Sequence, residues 1–363
     1  MIDPYLSIQV AEAAEAAARR VQSVNVEGLW QRFVQAATSQ TFAARLPVAR
    51  SHRWAGAIPT WEHPGSIIAP PAVGNLPVIG IDGSQIYPLD RSPVVWAYVQ
   101  AVACRQGCPP VLKSRFVDIG SRLVEQGSDL DENRDELTGL TNAWRALLEM
   151  ELAREMAVNH PGSLTLLDNG LLPWLSVSGQ LALRHLQEYL ADYCGIQPGM
   201  IAGVISGPQS HLLERLVHLV EADTLEEGLQ DRREFLDLAL MLHVLKPGER
   251  SALFKHGSPR NDRFEEQGGG VYFFFLRTQR AEIARVEIPE WVARDAEKVG
   301  QVHVSILLDA MISGYSYVLS QAHQQAAISL DVANTLRERA AIRYMQASGR
   351  SEAIPAKSAM KRG

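Results

Sequence analysis

Two aspartates in this chain end short apolar runs and stand next to glycine. Leu76-Pro77-Val78-Ile79-Gly80-Ile81 runs into Asp82-Gly83-Ser84, and Leu164-Thr165-Leu166-Leu167 runs into Asp168-Asn169-Gly170. The aliphatic residues read as buried strands, and each Asp is expected where its strand leaves the sheet at a glycine turn. That is where α/β proteins keep ligands and metals. A helical pattern over 137–158 carries Glu149, Glu151 and Glu155, with Glu151 and Glu155 on one face at i, i+4 spacing. Gathered carboxylates repel one another unless a cation neutralises them, and hard oxygen ligands suit Mg²⁺ or Mn²⁺. Two such ions about 4 Å apart can activate a water and stabilise the leaving oxygen of a phosphodiester. The chemistry these residues point to is metal-assisted hydrolysis of nucleic acid.

Each piece has a plainer explanation when taken singly. Asp-Gly is a common turn, a glutamate on a helix is usually solvated, and an isolated Tyr315 or His323 packs more often than it reacts. What favours a site is the conjunction of three carboxylates with the elements around them. After the Asp82 strand, two runs over 94–104 and 111–118 flank a Gly107-Pro109-Pro110 turn and read as an antiparallel meander. A charged loop over 128–136 leads into the Glu151 helix. The Asp168 strand follows, then a helix over 177–193 and a strand over 200–206. The order βββαβαβ is that of the ribonuclease H-like fold, an α/β mixed sheet in which the first and fourth strands are neighbours, so Asp82 and Asp168 are expected to meet.

The remaining chain reads as additions to that core. An Ala- and Glu-rich N-terminal helical arm occupies 1–50, with Val10, Ala14, Ala17 and Val21 on one face for packing on the body or on a second copy. A Pro- and Gly-rich linker is expected over 51–75, the catalytic domain over 76–346 and a disordered tail over 347–363. The Gly- and charge-rich stretch 257–270 is expected to be a mobile loop. Strands are expected over 271–277 and 284–288, the first a core strand or an interface. A helical tail from Val302 would carry Tyr315 and His323, about two helical turns apart, near one face.

The net charge of −6 gives no global basic character, so a nucleic acid would be held by a local patch or by metal ions. Arg184, Arg277, Arg280 and Arg285 are candidate phosphate contacts. Three cysteines, Cys104, Cys108 and Cys194, are too few for a disulfide framework and read as buried thiols. With no leader pattern and no apolar run of membrane-spanning length, a cytoplasmic protein is expected. No Walker-type phosphate loop is present in the sequence, so any ATP-driven motion belongs to a partner.

Ile79-Gly80-Ile81-Asp82-Gly83-Ser84-Gln85, the Glu151 helix, Leu166-Leu167-Asp168-Asn169-Gly170, the strand at 201–206, Arg285-Val286-Glu287-Ile288-Pro289 and Gly314-Tyr315-Ser316-Tyr317 with Gln321-Ala322-His323 occur in one order. Together they resemble the NurA nucleases from about residue 76 to 330. The resemblance implies a manganese-dependent 5′ to 3′ exonuclease and single-strand endonuclease of DNA end resection, forming a dimer and acting with the hexameric HerA translocase. It implies a site of Asp82, Glu151, Asp168, Tyr315 and His323, with Asp82, Glu151, Asp168 and His323 as ligands to Mn²⁺ or Mg²⁺. Glu149 is the rival for the helix carboxylate. Asp-Asn-Gly stands where the family often has Asp-Gly-Ser, and Ser316 where proline is common. These departures keep open an inert assembly subunit, and the fold alone would also admit a nuclease of RNA or branched DNA.

Overall fold

The structure, a computed structural model, describes residues 26–88, 95–119, 134–173, 179–278 and 282–348. Two helices come first, α1 (Val26–Ala37) and α2 (Gln40–Ser51), then the short strands β1 (Ala57–Pro59) and β2 (Ile67–Ile68). Three long strands follow, β3 (Val78–Ile86), β4 (Trp96–Arg105) and β5 (Val111–Asp118). Next come α3 (Arg134–Asn159), β6 (Leu164–Leu167), α4 (Gly179–Cys194) and β7 (Met200–Ser206). This stretch is the βββαβαβ order read from the sequence, and the architecture is mixed α/β of ribonuclease H-like type. Beyond it lie α5 (Leu212–Glu221), α6 (Leu225–Gly228), α7 (Asp237–Val244), β8 (Arg250–Ser251), β9 (Phe254–His256) and α8 (Pro259–Glu266). Strands β10 (Val271–Arg277) and β11 (Ile283–Pro289) lead to α9 (Glu290–Ala293), α10 (Ala296–Asp309), α11 (Tyr317–Ala326) and α12 (Leu330–Ser348).

The chain divides into two units, one of residues 1–78, 160–172 and 197–317, the other of residues 79–159, 173–196 and 318–363. In the first, strands run β1-β9-β10-β11-β7-β6. The β6–β7 pair is parallel, and β7–β11, β11–β10, β10–β9 and β9–β1 are antiparallel. Strand β10 shows no polar alternation because both its faces are covered, and Phe273, Phe274, Phe275 and Leu276 are fully buried. It is a core strand. Phe273 and Phe275 pack with Leu29 and Phe33 of α1, Leu213 and Leu216 of α5, and Leu240 and Met241 of α7. Each such side chain contributes about 2 kcal/mol by leaving water. The described part of the N-terminal arm thus packs in cis; residues 1–25 lie outside the described residues.

Two expectations change in this unit. The stretch 257–270 contains α8, capped by the Ser258 hydroxyl accepting from Arg260 N at 3.3 Å, with Pro259 in the first turn. Buried Asn261 ties the helix down, donating to His256 O at 2.9 Å and accepting from Val271 N at 2.7 Å. Glycine and charge hid a Ser-Pro start signal. The second change is at the other end of the chain, where α10 stops at Asp309 and α11 starts at Tyr317. Gly314, at φ +84°, turns the chain between them. Tyr315 therefore lies in a turn and shares no helix face with His323. The stretch expected as a linker is extended and enters the sheet, β1 on β9 and β2 on β8.

In the second unit β3, β4 and β5 form the expected antiparallel meander. Helix α3 packs on β4 and α4 packs on α3. From α11, Ala322 and Ala326 pack on Val102 and Cys104 of β4, and Ala333 of α12 packs with Ile86 and Trp96. Strand β3 does not end at Asp82. Its ladder with β4 continues from Asp82↔Val102 through Gly83↔Ala101 to Ile86↔Tyr98, because β4 is long enough to pair with it throughout. Of the thiols, Cys104 is buried as expected, Cys194 is half-buried and Cys108 is exposed. Much of the charged loop, Arg280 and the tail from 349 lie outside the described residues. Among the described residues no helix is long and apolar enough to cross a membrane.

Candidate metal centre

Successive β3 side chains face opposite sides of the sheet. On one side stands Gly80, where a Cβ would lie 2.5 Å from the Val318 carbonyl carbon and 2.7 Å from Leu319 N. Only glycine lets the first turn of α11 come this close. Asp82, two residues on, faces the same side, and α11 carries His323 to it: His323 Nδ1 lies 2.7 Å from Asp82 Oδ2. A carboxylate can only accept, so Nδ1 carries the proton of this bond. Asp82 Oδ1 accepts from Gly83 N at 2.8 Å. The Asp82 side chain is 7% exposed and that of His323 71%. A buried carboxylate thus meets an imidazole open to solvent, an oxygen and nitrogen donor pair on two rigid elements.

Gly83 faces the opposite side, towards α3. The space a Cβ would take there is filled by the Glu149 carboxylate, with Arg145 Cγ at 3.0 Å. Glu149 is buried, and Arg145 Nη1 approaches it to 3.5 Å one turn away. Glu151 is placed differently. Its two oxygens receive Lys113 Nζ at 2.9 Å and Arg115 Nη2 at 3.0 Å, both from β5. Lys113 also pairs with Glu155. Burial works to lower the Lys113 pKa, but the bonds to Glu155 and Glu151 outweigh it and hold the ammonium above its ordinary value. Arg115 lies 5.2 Å over the Trp144 ring. The structure therefore puts Glu149 beside the Asp82 strand and binds Glu151 to the cations of β5.

In the first unit Asp168 follows the last residue of β6 directly and is half-buried. This aspartate does stand where its strand leaves the sheet. The chain then turns through Asn169 and Gly170, and Leu171 N donates to Glu287 Oε2 on β11 at 2.8 Å. Arg285 Nη2 is 2.9 Å from Glu287 Oε1. Tyr315, half-buried, is held in its turn by Ser313, whose hydroxyl donates to Tyr315 O at 2.7 Å. Ser316, where the family pattern favours proline, bonds Asp309 through its hydroxyl.

The arginines read as phosphate contacts differ in availability. Arg277 donates to Leu242 O at 2.8 Å and Leu245 O at 2.6 Å, and Arg285 is paired with Glu287. Both hold the fold together. Arg184 is exposed on α4. Sequence reasoning missed the close approach at Gly80, the filling of the Gly83 lane by Glu149, and Glu287. The glycines were the available signal, since a glycine inside a β-branched strand marks a close neighbour.

The NurA domain profile matches residues 76–328, more than two thirds of the chain. No curated protein matches at a significant level. Among solved structures the chain is similar to the NurA nuclease from Sulfolobus solfataricus, at 12% identity over 78% of this chain and 87% of that one, with a TM-score of 0.49. A second NurA crystal structure aligns at 11% identity over 72% of this chain and 86% of that one, TM-score 0.45. The catalytic domain of human Endonuclease V aligns at 13% identity over 78% and 92%, TM-score 0.31. The family match spans every motif singled out above, from the Asp82 strand to His323, and the chain belongs to the NurA nuclease family.

Proposed function

We propose that this protein is a metal-dependent deoxyribonuclease whose cation is held by Asp82 and His323, with Asp168 added as a ligand on the strength of the family resemblance. The observation that carries the reading is the Asp82–His323 pair, a buried carboxylate bonded at 2.7 Å to an exposed imidazole, in a chain of the NurA family. Two carboxylates and one imidazole suit Mn²⁺ or Mg²⁺ and do not suit soft metals. Bound there, the cation supplies Lewis acidity to a phosphodiester and lowers the pKa of a water. Asp82 holds its own position through the β3–β4 ladder, and His323 presents a proton at Nδ1 to the carboxylate. The family resemblance implies Glu151 as the helix carboxylate with Glu149 as its rival; Lys113 and Arg115 engage both Glu151 oxygens, and Glu149 lies against Gly83 on the face of β3 opposite Asp82, so we assign neither to this cation. Tyr315 is proposed as a further catalytic residue, as the family resemblance implies.

Family membership supports a finer reading of the activity. It is 5′ to 3′ exonuclease and single-strand endonuclease action on DNA in end resection, by a cytoplasmic homodimer working with a HerA-type hexameric ATPase. The test is digestion of end-labelled single-stranded DNA, duplex ends, junctions and RNA hybrids with Mn²⁺, Mg²⁺ or EDTA, with and without the translocase and ATP. Metal-dependent loss of labelled DNA is the expected result. Cleavage confined to RNA hybrids or junctions, or none under any condition, would overturn it.

A further inference from the structure

Glu287 is an unusual residue for its place. It lies in the middle of β11, 1% exposed, on the face where the neighbouring β10 residues Phe273 and Phe275 meet an apolar core. A buried carboxylate there costs several kcal/mol unless both oxygens are engaged, and both are. Oε1 takes Arg285 and Oε2 takes the backbone N–H of Leu171, the third residue after Asp168. Two glycines make this reach possible. Glu287 pairs in register with Gly203 of β7, and Gly203 with Leu167 of β6, so the lane between Glu287 and the end of β6 holds no side chain. A Cβ on Gly203 would collide with Asn169 O, and one on Gly170 would lie 2.7 Å from Glu287 Oε2.

We infer that Glu287 is a positioning residue for the metal site, fixing through Leu171 the turn that aims the Asp168 carboxylate. The inference rests on the reading of Asp168 as a metal ligand. Ordinary turns need no buried charge, and a charge-assisted bond is stronger and more directional than a neutral one. Arg285 neutralises the carboxylate, so the turn is held without adding net charge to an acidic site. Partners of this kind, acting behind metal ligands, typically change metal affinity by about 10- to 100-fold when removed.

The experiment compares two double variants that both remove the Arg285 charge, so neither leaves a buried cation unpaired. Arg285→Met/Glu287→Gln keeps an acceptor for Leu171 N–H; Arg285→Met/Glu287→Leu does not. Manganese binding is read by calorimetry without DNA, and Leu171 by amide hydrogen exchange. The Gln variant is expected within about threefold of wild type in Kd, and the Leu variant at least about tenfold weaker with a faster-exchanging Leu171 amide. Gly170→Ala, which needs no charge change and crowds Glu287 directly, is expected to weaken manganese binding in the same direction, and it decides the matter if the Leu variant does not fold. Equal Kd values for the folded variants and wild type would overturn the inference. Asp82→Asn is run in parallel: if it too binds manganese as wild type does, the metal-site reading has failed, whereas its loss of binding beside unchanged Glu287 variants strikes this inference alone.

Discussion

The two aspartates share one sequence pattern, an apolar run, Asp and a nearby glycine, yet they are held in different ways. Asp82 sits inside a strand. Its backbone is fixed by a ladder that runs on to Ile86, and glycine serves on both faces, Gly80 admitting α11 and Gly83 admitting Glu149. Asp168 sits outside a strand, on a turn to which the Glu287 carboxylate reaches across an empty glycine lane. A ladder residue moves only if the sheet moves, whereas a turn residue depends on side-chain bonds such as that from Glu287. The first should therefore be sensitive to packing and the second to chemistry.

The largest effect that would sharpen this contrast is at Gly80. Gly80→Val places methyls against the α11 backbone, and overpacking of this kind costs about 1–3 kcal/mol or displaces the helix. Cleavage should fall by more than about 100-fold, since His323 moves with α11; near-normal activity in a folded Gly80→Val protein would break the packing half of the comparison. Next comes His323→Ala, expected to lower cleavage by about 100-fold or more while leaving secondary structure by circular dichroism unchanged, since the side chain is exposed.

A third prediction concerns acid stability of the first unit. Burial pushes the His256 and His303 imidazoles down to about 4, so their neutral forms are required in the folded state. That stability is complete above the unfolded value near 6.5 and is lost as pH falls towards 4. Buried Asp237, pushed up to about 6, acts oppositely, stabilising below its ordinary carboxylate value and losing that contribution as pH rises through 6. Buried Glu214, also pushed up by burial, acts with Asp237, and the two histidines, each shifted further than Asp237, set the direction as a net loss between pH 7 and 4. Melting temperatures across that range should fall, and a flat profile would contradict the assignment. The smallest effect is at Glu151, where replacement by Gln weakens partly exposed pairs worth about 0.5–1 kcal/mol. Cleavage should stay within about threefold of wild type; a loss matching His323→Ala would make Glu151 the helix carboxylate of the site.

Much of this arrangement is legible in the sequence because it is local. The β10 run Val271 to Leu276, the α3 pattern and the strand before Asp168 announce themselves by composition and period. What is not legible depends on partners far along the chain. Whether β3 stops at Asp82 or continues is decided by the length of β4, and nothing in Asp82-Gly83-Ser84 reports that. The rotation of α3 sets which of Glu149 and Glu151, two positions apart, meets Gly83 and which meets Lys113, and it is read only once both strands are in place. Tyr315 and His323 have helical spacing, but Gly314 and the Ser313 hydroxyl divert the chain before α11 begins. Glu287 lay in a motif that could be quoted, but its partner Leu171 is visible only after β6, β7 and β11 are aligned.

The most direct test of the central claim is a manganese titration of wild type and Asp82→Asn by calorimetry, paired with cleavage of end-labelled single-stranded DNA by the same preparations. The proposed metal site predicts that Asp82→Asn keeps its fold, loses at least about tenfold in manganese affinity and yields no metal-dependent products. Wild-type affinity and wild-type cleavage in the folded variant would contradict it.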